Sequence, residues 1–389
     1  MPDSPDHQSP DPSQHREPLR LKATIGPREE FSFLTADGVA SPGAFREPEL
    51  GLLDVLVDAA PETLLVPDAN YGLVGTVLGV FADAVCMTET SARAAGLCRE
   101  NAVRNRVSDR TTVAITADLR ALPTSFETAA LAPTEYVPVE VVNQRIADAI
   151  ATLHPGGTCY LAATPSTGLN RYHATLRELC EDVSRVTSAG TVTVLRGERP
   201  AAYDPPRYAE PRPMTVEIGG AGLTFTSYPG LFSPAELDAG TRALAERFQP
   251  NEGEHVLDLA CGYGPLGIYA RRSADCTVVL TDDDCVATAC ARQSAARSGV
   301  TDGLDVVTGD GVAGVRGSKF DRIVCNPPTH GGSGLLHELM AGASEVLSAD
   351  GRLQLVHHQG VAFNRYLDPY FQEVTGVDQG EYRLVTARH

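Results

Sequence analysis

Asn326-Pro-Pro-Thr-His330 is the stretch whose residue types point most directly to chemistry. It follows a strand-like run, Phe320-Asp-Arg-Ile-Val-Cys325. A turn there would present the Asn326 amide oxygen and a proline carbonyl as two fixed acceptors. Such a pair suits a planar exocyclic NH2 group, whose hydrogens must be held while its lone pair pyramidalises and attacks an electrophilic methyl. Holding the pyramidal form more tightly than the planar one is transition-state stabilisation. Pro327 and Pro328 stiffen the loop, so the acceptors are preorganised. About sixty residues earlier, Val256-Leu-Asp-Leu-Ala-Cys-Gly-Tyr-Gly-Pro-Leu-Gly267 reads as a strand, a glycine turn and a helix start. Asp258 ends the strand with a carboxylate. Gly262 and Gly264 let the backbone approach a ligand where a Cβ would collide, and Pro265 suits the first helical turn. In open α/β sheets this crevice binds nucleoside ligands.

Further acids follow the next strands. Asp282 is placed to accept from ribose hydroxyls, as an acid does in dinucleotide folds. The alternative is that Asp282, Asp283 and Asp284 all cap the helix that follows; the two roles are compatible, with ribose assigned to Asp282 and capping to Asp283 and Asp284. Asp310, in Gly309-Asp310-Gly311, is otherwise a turn residue, and Asp258 is otherwise a structural turn acceptor. Cys261 fills a small buried slot and is no nucleophile. His357 and His358 end a strand and point to opposite faces, so with His330 or His337 they make no metal site.

These residues need a frame of alternating strands and helices. In the second half strands are expected over 255–259, 277–281, 304–308, 321–325 and 352–357, with helices over 265–272, 286–298 and 334–347. Two strands near 372–377 and 382–387 close the chain, and a hairpin (Thr215–Ile218, Leu223–Thr226) with a glycine-rich turn precedes the half. A lag of roughly 190 residues superimposes the first half on the second. Leu65-Val-Pro-Asp-Ala-Asn-Tyr-Gly-Leu-Val-Gly75 lies under the glycine turn, Phe126–Thr134 under Phe320–Pro328, and Leu153-His-Pro-Gly-Gly157 under Leu347-Ser-Ala-Asp-Gly351. Val66, Asn70 and Ala132 stand where Asp258, Gly262 and Asn326 would. The frame is repeated and the chemistry is not.

With its glycine turn and Asn-Pro-Pro loop in this order, the chain resembles class I S-adenosylmethionine-dependent methyltransferases acting on amino groups. With its degenerate first copy and Tyr228-Pro-Gly-Leu-Phe-Ser233, it resembles the small-subunit ribosomal RNA guanine-N2 methyltransferases. The resemblance implies an α/β fold of two tandem Rossmann-like domains with seven-stranded sheets, the last strand antiparallel. The expected divisions are a disordered tail over 1–20, a degenerate domain over 21–195, a stiff proline-rich linker over 196–213 and a catalytic domain over 214–389. It implies S-adenosylmethionine contacts from Asp258, Ala260, Gly262, Gly264, Asp282, Asp310 and Asn326. In this reading Asp258 lies near the methionine amino end and Asp310 accepts from the adenine amine. Catalysis falls to Asn326, Pro327 and Pro328, and substrate contacts to Thr329, His330 and Phe232. The family usually places a stacking aromatic where Thr329 stands; His330 either supplies a face in its stead or turns to water.

Composition bounds the partners. The 389 residues carry a net charge of −18, and of the 32 basic residues only two are lysine. That total opposes a broad phosphate-binding surface but leaves room for a local arginine-lined face. Nine cysteines without a CxxC pair fit a reducing compartment. The polar first twenty residues hold no apolar core, and the apolar stretch from Thr63 to Met87 is broken by Asp68, Asn70 and Asp83. A cytoplasmic protein without membrane or metal is expected, acting on ribosomal RNA or the small ribosomal subunit. The rival readings are an adenine-N6 or protein-glutamine methyltransferase, for which the same acceptors serve, and a non-catalytic ribosome-binding scaffold.

Overall fold

The short apolar runs of the sequence become inner strands of two sheets. The computed structural model describes residues 18–25, 28–122 and 125–389. Of the tail expected over 1–20, only its last three residues are described, and Leu19 and Arg20 already belong to a strand. A hairpin of β1 (Leu19–Ile25) and β2 (Arg28–Phe33) leads into α1 (Glu47–Ala59), β3 (Thr63–Pro67), α2 (Leu73–Leu78), β4 (Ala84–Glu89), α3 (Ala92–Arg104) and β5 (Thr111–Ile115). The first half continues through β6 (Phe126–Leu131), α4 (Val139–Ala151), β7 (Leu153–Ala163), α5 (Leu169–Leu179), β8 (Glu181–Ala189) and β9 (Val192–Glu198). The second half repeats the plan from a hairpin of β10 (Arg212–Ile218) and β11 (Ala221–Ser227). There follow α6 (Ala239–Arg247), β12 (His255–Leu259), α7 (Pro265–Ser273), β13 (Thr277–Asp282), α8 (Cys285–Ser298) and β14 (Leu304–Thr308). β15 (Phe320–Cys325), α9 (Ser333–Val346), β16 (Leu347–His358), α10 (Asn364–Leu367), β17 (Glu373–Gln379) and β18 (Tyr382–Arg388) complete it.

The strand orders are β5-β4-β3-β6-β7-β9-β8 and β14-β13-β12-β15-β16-β18-β17, seven strands in each sheet. The inner strands are parallel, and β9 and β18 insert antiparallel beside β7 and β16. The copies agree even in irregularities: the register shifts after Phe126↔Leu153 and again after Phe320↔Leu347. Both faces of each sheet are covered, so successive side chains of one strand enter different cores. Val256 of β12 packs with Phe225, Phe248 and Leu280, while Leu257 and Leu259 pack with Met340, Leu353 and Phe363. Burial on both sides makes such strands near-continuous apolar runs. The order reverses between β12 and β15, and the crevice opening there at the strands' carboxyl ends is the position where α/β sheets hold ligands.

Two boundaries differ from expectation. Arg196–Glu198 belong to β9, with Arg196 paired to Tyr160, and Arg212 and Pro213 belong to β10. The connection is therefore residues 199–211, shorter than 196–213. Pro213 is accommodated because its strand lies in a two-stranded sheet, where a missing N–H costs no inner ladder bond. The connection is also docked: the Tyr203 hydroxyl donates to Ala147 O at 3.1 Å and the Tyr208 N–H to the Gln144 side chain at 2.7 Å.

The halves meet through equivalent segments. The Ala92 N–H donates to Asp283 O and the Cys285 N–H to Thr90 O, each at 2.9 Å, around an antiparallel bridge between Ser91 and Asp284. Ser91 and Asp284 are themselves the N-caps of α3 and α8, so the contact is locally two-fold.

Candidate active site

The glycine turn after β12 sets the floor of the site. Ala260, Gly262 and Gly264 have φ of 57°, 57° and 89°. Gly264 is required as glycine, since a Cβ would lie 2.7 Å from Leu280 Cδ2. Gly262 faces open space on the cleft side. In the first half Asp68, Asn70 and Gly72 take φ of 49°, 61° and 85°, so the same backbone turn persists on different side chains. Asn tolerates the left-handed region better than most residues, which explains how Asn70 replaces a glycine there.

A cleft of about 620 Å³ opens over this turn. It gathers Asp258, Ala260, Gly262, Asp282, Asp310, Asn326, Pro327, Pro328, Thr329, His330 and Phe232. Gly264 is the exception among the residues expected to hold the cofactor: it lies behind the turn against Leu280, Ile268 and Ala291, and it serves helix–sheet packing.

Asp258 is 1% exposed. Its Oδ2 accepts from the Gly267 N–H at 2.7 Å, so the turn-acceptor role is real, while the buried Oδ1 has no partner among the described residues. Burial, and then the nearby Asp282 charge, push its carboxyl up to about 7. A buried acceptor with an open lone pair in a cleft fits an ammonium group. Asp282 accepts from the Gly262 N–H at 2.8 Å and the Asp284 N–H at 2.9 Å, tying turn to strand, and burial raises it to about 6. Asp284 caps α8 through the Val286 N–H at 2.8 Å. Asp283 does not cap it. Its carboxylate turns to the first half and accepts from Ser91 Oγ at 2.5 Å and the Arg93 N–H at 2.8 Å. The run of three acids suggested a cap, whereas the packing of the other half takes the middle one.

Asn326 is held from behind. Its Nδ2 donates to Asp238 Oδ2 at 3.1 Å and Thr241 Oγ1 at 2.8 Å. A carboxylate only accepts, so the NH2 must face Asp238 and the amide oxygen is left for the cleft. Asp238 is the N-cap of α6, accepting the Thr241 N–H at 2.7 Å, and the Tyr382 hydroxyl donates to its other oxygen at 3.4 Å. The Pro328 carbonyl accepts the Gly331 N–H at 3.1 Å. The sequence reading gave Asp238, Thr241 and Tyr382 no role in the site, although Leu237-Asp-Ala-Gly-Thr241 shares in the family resemblance. The signal for them was the Asp-x-x-Thr cap before α6 and its altered counterpart at the start of α1.

That counterpart is instructive. Arg46, the N-cap residue of α1, donates through Nη2 to Ala132 O at 3.0 Å and Pro133 O at 2.7 Å, and pairs with buried Glu49 at 3.5 Å. The Pro133 carbonyl, counterpart of that of Pro327, is thus occupied by the half's own guanidinium, and Ala132 offers no side-chain amide. Glu89, in the place of Asp282, still accepts the turn N–H, here from Asn70.

Phe232 and Thr329 both line the cleft, and the Phe232 ring is 65% exposed. His357 is buried and stacks on Phe363 with ring centroids 5.0 Å apart, and burial lowers its imidazole from the usual value. His337 instead meets the edges of Tyr366 and Tyr370, and no group of three or more His, Cys, Asp and Glu among the described residues could hold a metal.

The methyltransferase small domain family matches residues 222–386. The ribosomal RNA small subunit methyltransferase C of Pseudomonas paraeruginosa is 30% identical over 260 residues, covering 64% of this chain and 76% of that protein. Its namesake in Pseudoalteromonas atlantica is 27% identical over 237 residues, covering 59% and 68%. In structure, the T. thermophilus 16S rRNA N2 G1207 methyltransferase, solved in complex with AdoMet and guanosine, matches with a TM-score of 0.80 at 24% identity, over 96% of this chain and 98% of that one. That likeness extends the tandem fold to nearly the whole molecule. The chain belongs to the ribosomal RNA small subunit methyltransferase C family.

Proposed function

We propose that the protein transfers a methyl group from S-adenosylmethionine to the exocyclic N2 of a guanine in small-subunit ribosomal RNA. The observation that carries this reading is the Asn326 amide, fixed by Asp238 and Thr241 with its oxygen toward the cleft. The bound cofactor supplies an electrophilic methyl on a sulfonium. In this reading Asp258 receives its ammonium on the unpartnered Oδ1, Asp282 its ribose hydroxyls and Asp310 its adenine amine. The Asn326 oxygen and the Pro327 carbonyl hold the two hydrogens of the target amine and direct its lone pair at the methyl. Nitrogen forms a bond to carbon as the sulfur–carbon bond breaks, and the methylated amine loses a proton to water. Phe232, lining the cleft, offers a stacking face for an extruded base, which a duplex target requires.

The first half is read as a retired copy that supports the second, and the tandem arrangement favours the RNA substrate over adenine N6 or a glutamine amide. A ribosomal RNA substrate supports a cytoplasmic site of action. No helix among the described residues is long and apolar enough to cross a membrane.

The test is to incubate the full chain with methyl-labelled S-adenosylmethionine and three pools: deproteinised RNA, small ribosomal subunits and RNase-treated protein extract. Label in RNA or subunits that digests to N2-methylguanosine, and is absent with Asn326→Ala, is the expected result. Label in N6-methyladenosine, or in protein alone, would replace the substrate.

A further inference from the structure

The cofactor cleft is not built by the second half alone. Arg93, near the start of α3 in the first half, lies on its wall at 8% exposure. Its Nε and Nη2 reach the same oxygen of Asp310, Oδ1, at 3.1 and 2.9 Å. Its Nη2 also donates to Glu338 and its Nη1 to Asp37 O at 3.3 Å, and its own N–H rests on Asp283 at 2.8 Å. The guanidinium is therefore fixed independently of Asp310.

Asp310 has little else to hold it. It sits between Gly309 and Gly311 in the loop after β14, Gly311 has φ of 55°, and the Asp310 side chain is 38% exposed. On such a loop a carboxylate samples several rotamers unless a partner selects one. Arg93 binds Oδ1 and leaves Oδ2 as the acceptor available to the cleft. A lysine would keep the charge but not the fork of donors.

We propose that Arg93 is a positioning residue for the cofactor site: it orients Asp310 to accept from the adenine amine, so that recognition of the cofactor's base is shared between the two halves. This rests on the reading of Asp310 as the adenine acceptor. The fold of the first half was kept, on this view, for a side chain it delivers into its neighbour's cleft.

The test compares S-adenosylhomocysteine with S-inosylhomocysteine, in which the base amine is replaced by an oxo group, by calorimetric titration of the full chain. The variants are Asp310→Ala, Arg93→Ala and Arg93→Lys, with thermal melts recorded beside them. Wild type should prefer the adenosyl ligand by about tenfold or more, the effect of one hydrogen bond to a charged acceptor. Asp310→Ala and Arg93→Ala should both bring that ratio to about threefold or less, and Arg93→Lys should fall between. Should Arg93→Ala fail to fold, Arg93→Lys carries the comparison. Equal weakening of both ligands by the Arg93 variants, with the wild-type ratio kept, would reduce Arg93 to a structural contact and overturn the inference. A ratio unchanged in Asp310→Ala would remove the adenine reading of Asp310, and the inference with it.

Discussion

Replacing Asp238 should slow methyl transfer without weakening cofactor binding. The Asn326 amide is a two-fold rotor whose ends differ in chemistry, since one accepts and the other donates. Asp238 and Thr241 select one orientation through contacts of 3.1 and 2.8 Å to Nδ2. A hydrogen bond to a charged group contributes about 1.5–3 kcal/mol and a neutral one about 1 kcal/mol. With about 1.4 kcal/mol to each factor of ten, Asp238→Ala should reduce the single-turnover rate about 10–100-fold and Thr241→Val about fivefold. The double variant should fall short of their product, because both contacts restrain the same rotor. Asp238→Ala also removes the α6 cap on the Thr241 N–H, worth about 1 kcal/mol of stability. Asp238→Asn keeps a capping oxygen and separates the two effects. The assay is single-turnover methylation at saturating S-adenosylmethionine, with cofactor affinity measured in parallel. A wild-type rate in the Asp238→Ala, Thr241→Val double variant would refute the orientation argument, as would a loss residing wholly in cofactor affinity.

Asn326→Ala should retain cofactor affinity while lowering methylation by about 10²–10³-fold, the usual effect of removing one oriented transition-state contact; near-normal turnover would sink the mechanism. Asp258 should make the empty protein pH-sensitive. Its folded carboxyl is raised to about 7, above an unfolded value of about 3.9, so its contribution is most favourable below about pH 4 and declines as pH rises to about 7. Asp258→Asn should therefore gain in melting temperature over wild type between pH 5 and about 7.5, and wild type should release protons on binding the cofactor near pH 6. Calorimetry in buffers of different ionisation enthalpy reads the second effect, and its absence would separate Asp258 from the ligand. Arg46→Met should destabilise the first half more at pH 8 than at pH 5.5. Glu49, already raised to about 7 by burial, then loses the guanidinium that favours its charge. A melting difference independent of pH would deny that the pair is ionic.

The inner strands of the second half were legible because burial on both faces writes them as short apolar runs. The inner strand β12 takes the limits expected, 255–259, and so does β14, 304–308, although it is a half-buried edge strand. β16 was cut short because Ser348-Ala-Asp-Gly351 reads as a turn, whereas Leu347 already pairs with Phe320 ahead of a register shift. Of the residues the local motifs named for the site, all but Gly264 line the cleft. Those motifs could not say which glycine faces ligand and which faces helix, and so Gly264 was drawn into the site. Asp238 and Arg93 lie 88 and 217 residues from the partners they hold, and no local spacing records such contacts. Asp283 was misread for the same reason, since capping is visible in sequence and the neighbouring half is not.

Arg46 also bears on whether the first half could ever work again. Arg46→Asp alone would set a second buried carboxylate beside Glu49 and leave Ala132 with no amide to orient. Ala132→Asn alone would bring an amide against carbonyls a guanidinium already occupies. Restoring an acceptor on the plan of the second half therefore calls for changes at positions 46, 49 and 132 together. Read as a retired copy, the first half has its former acceptor loop tied down by its own Arg46 and Glu49, so what once would have met a substrate now holds the fold together.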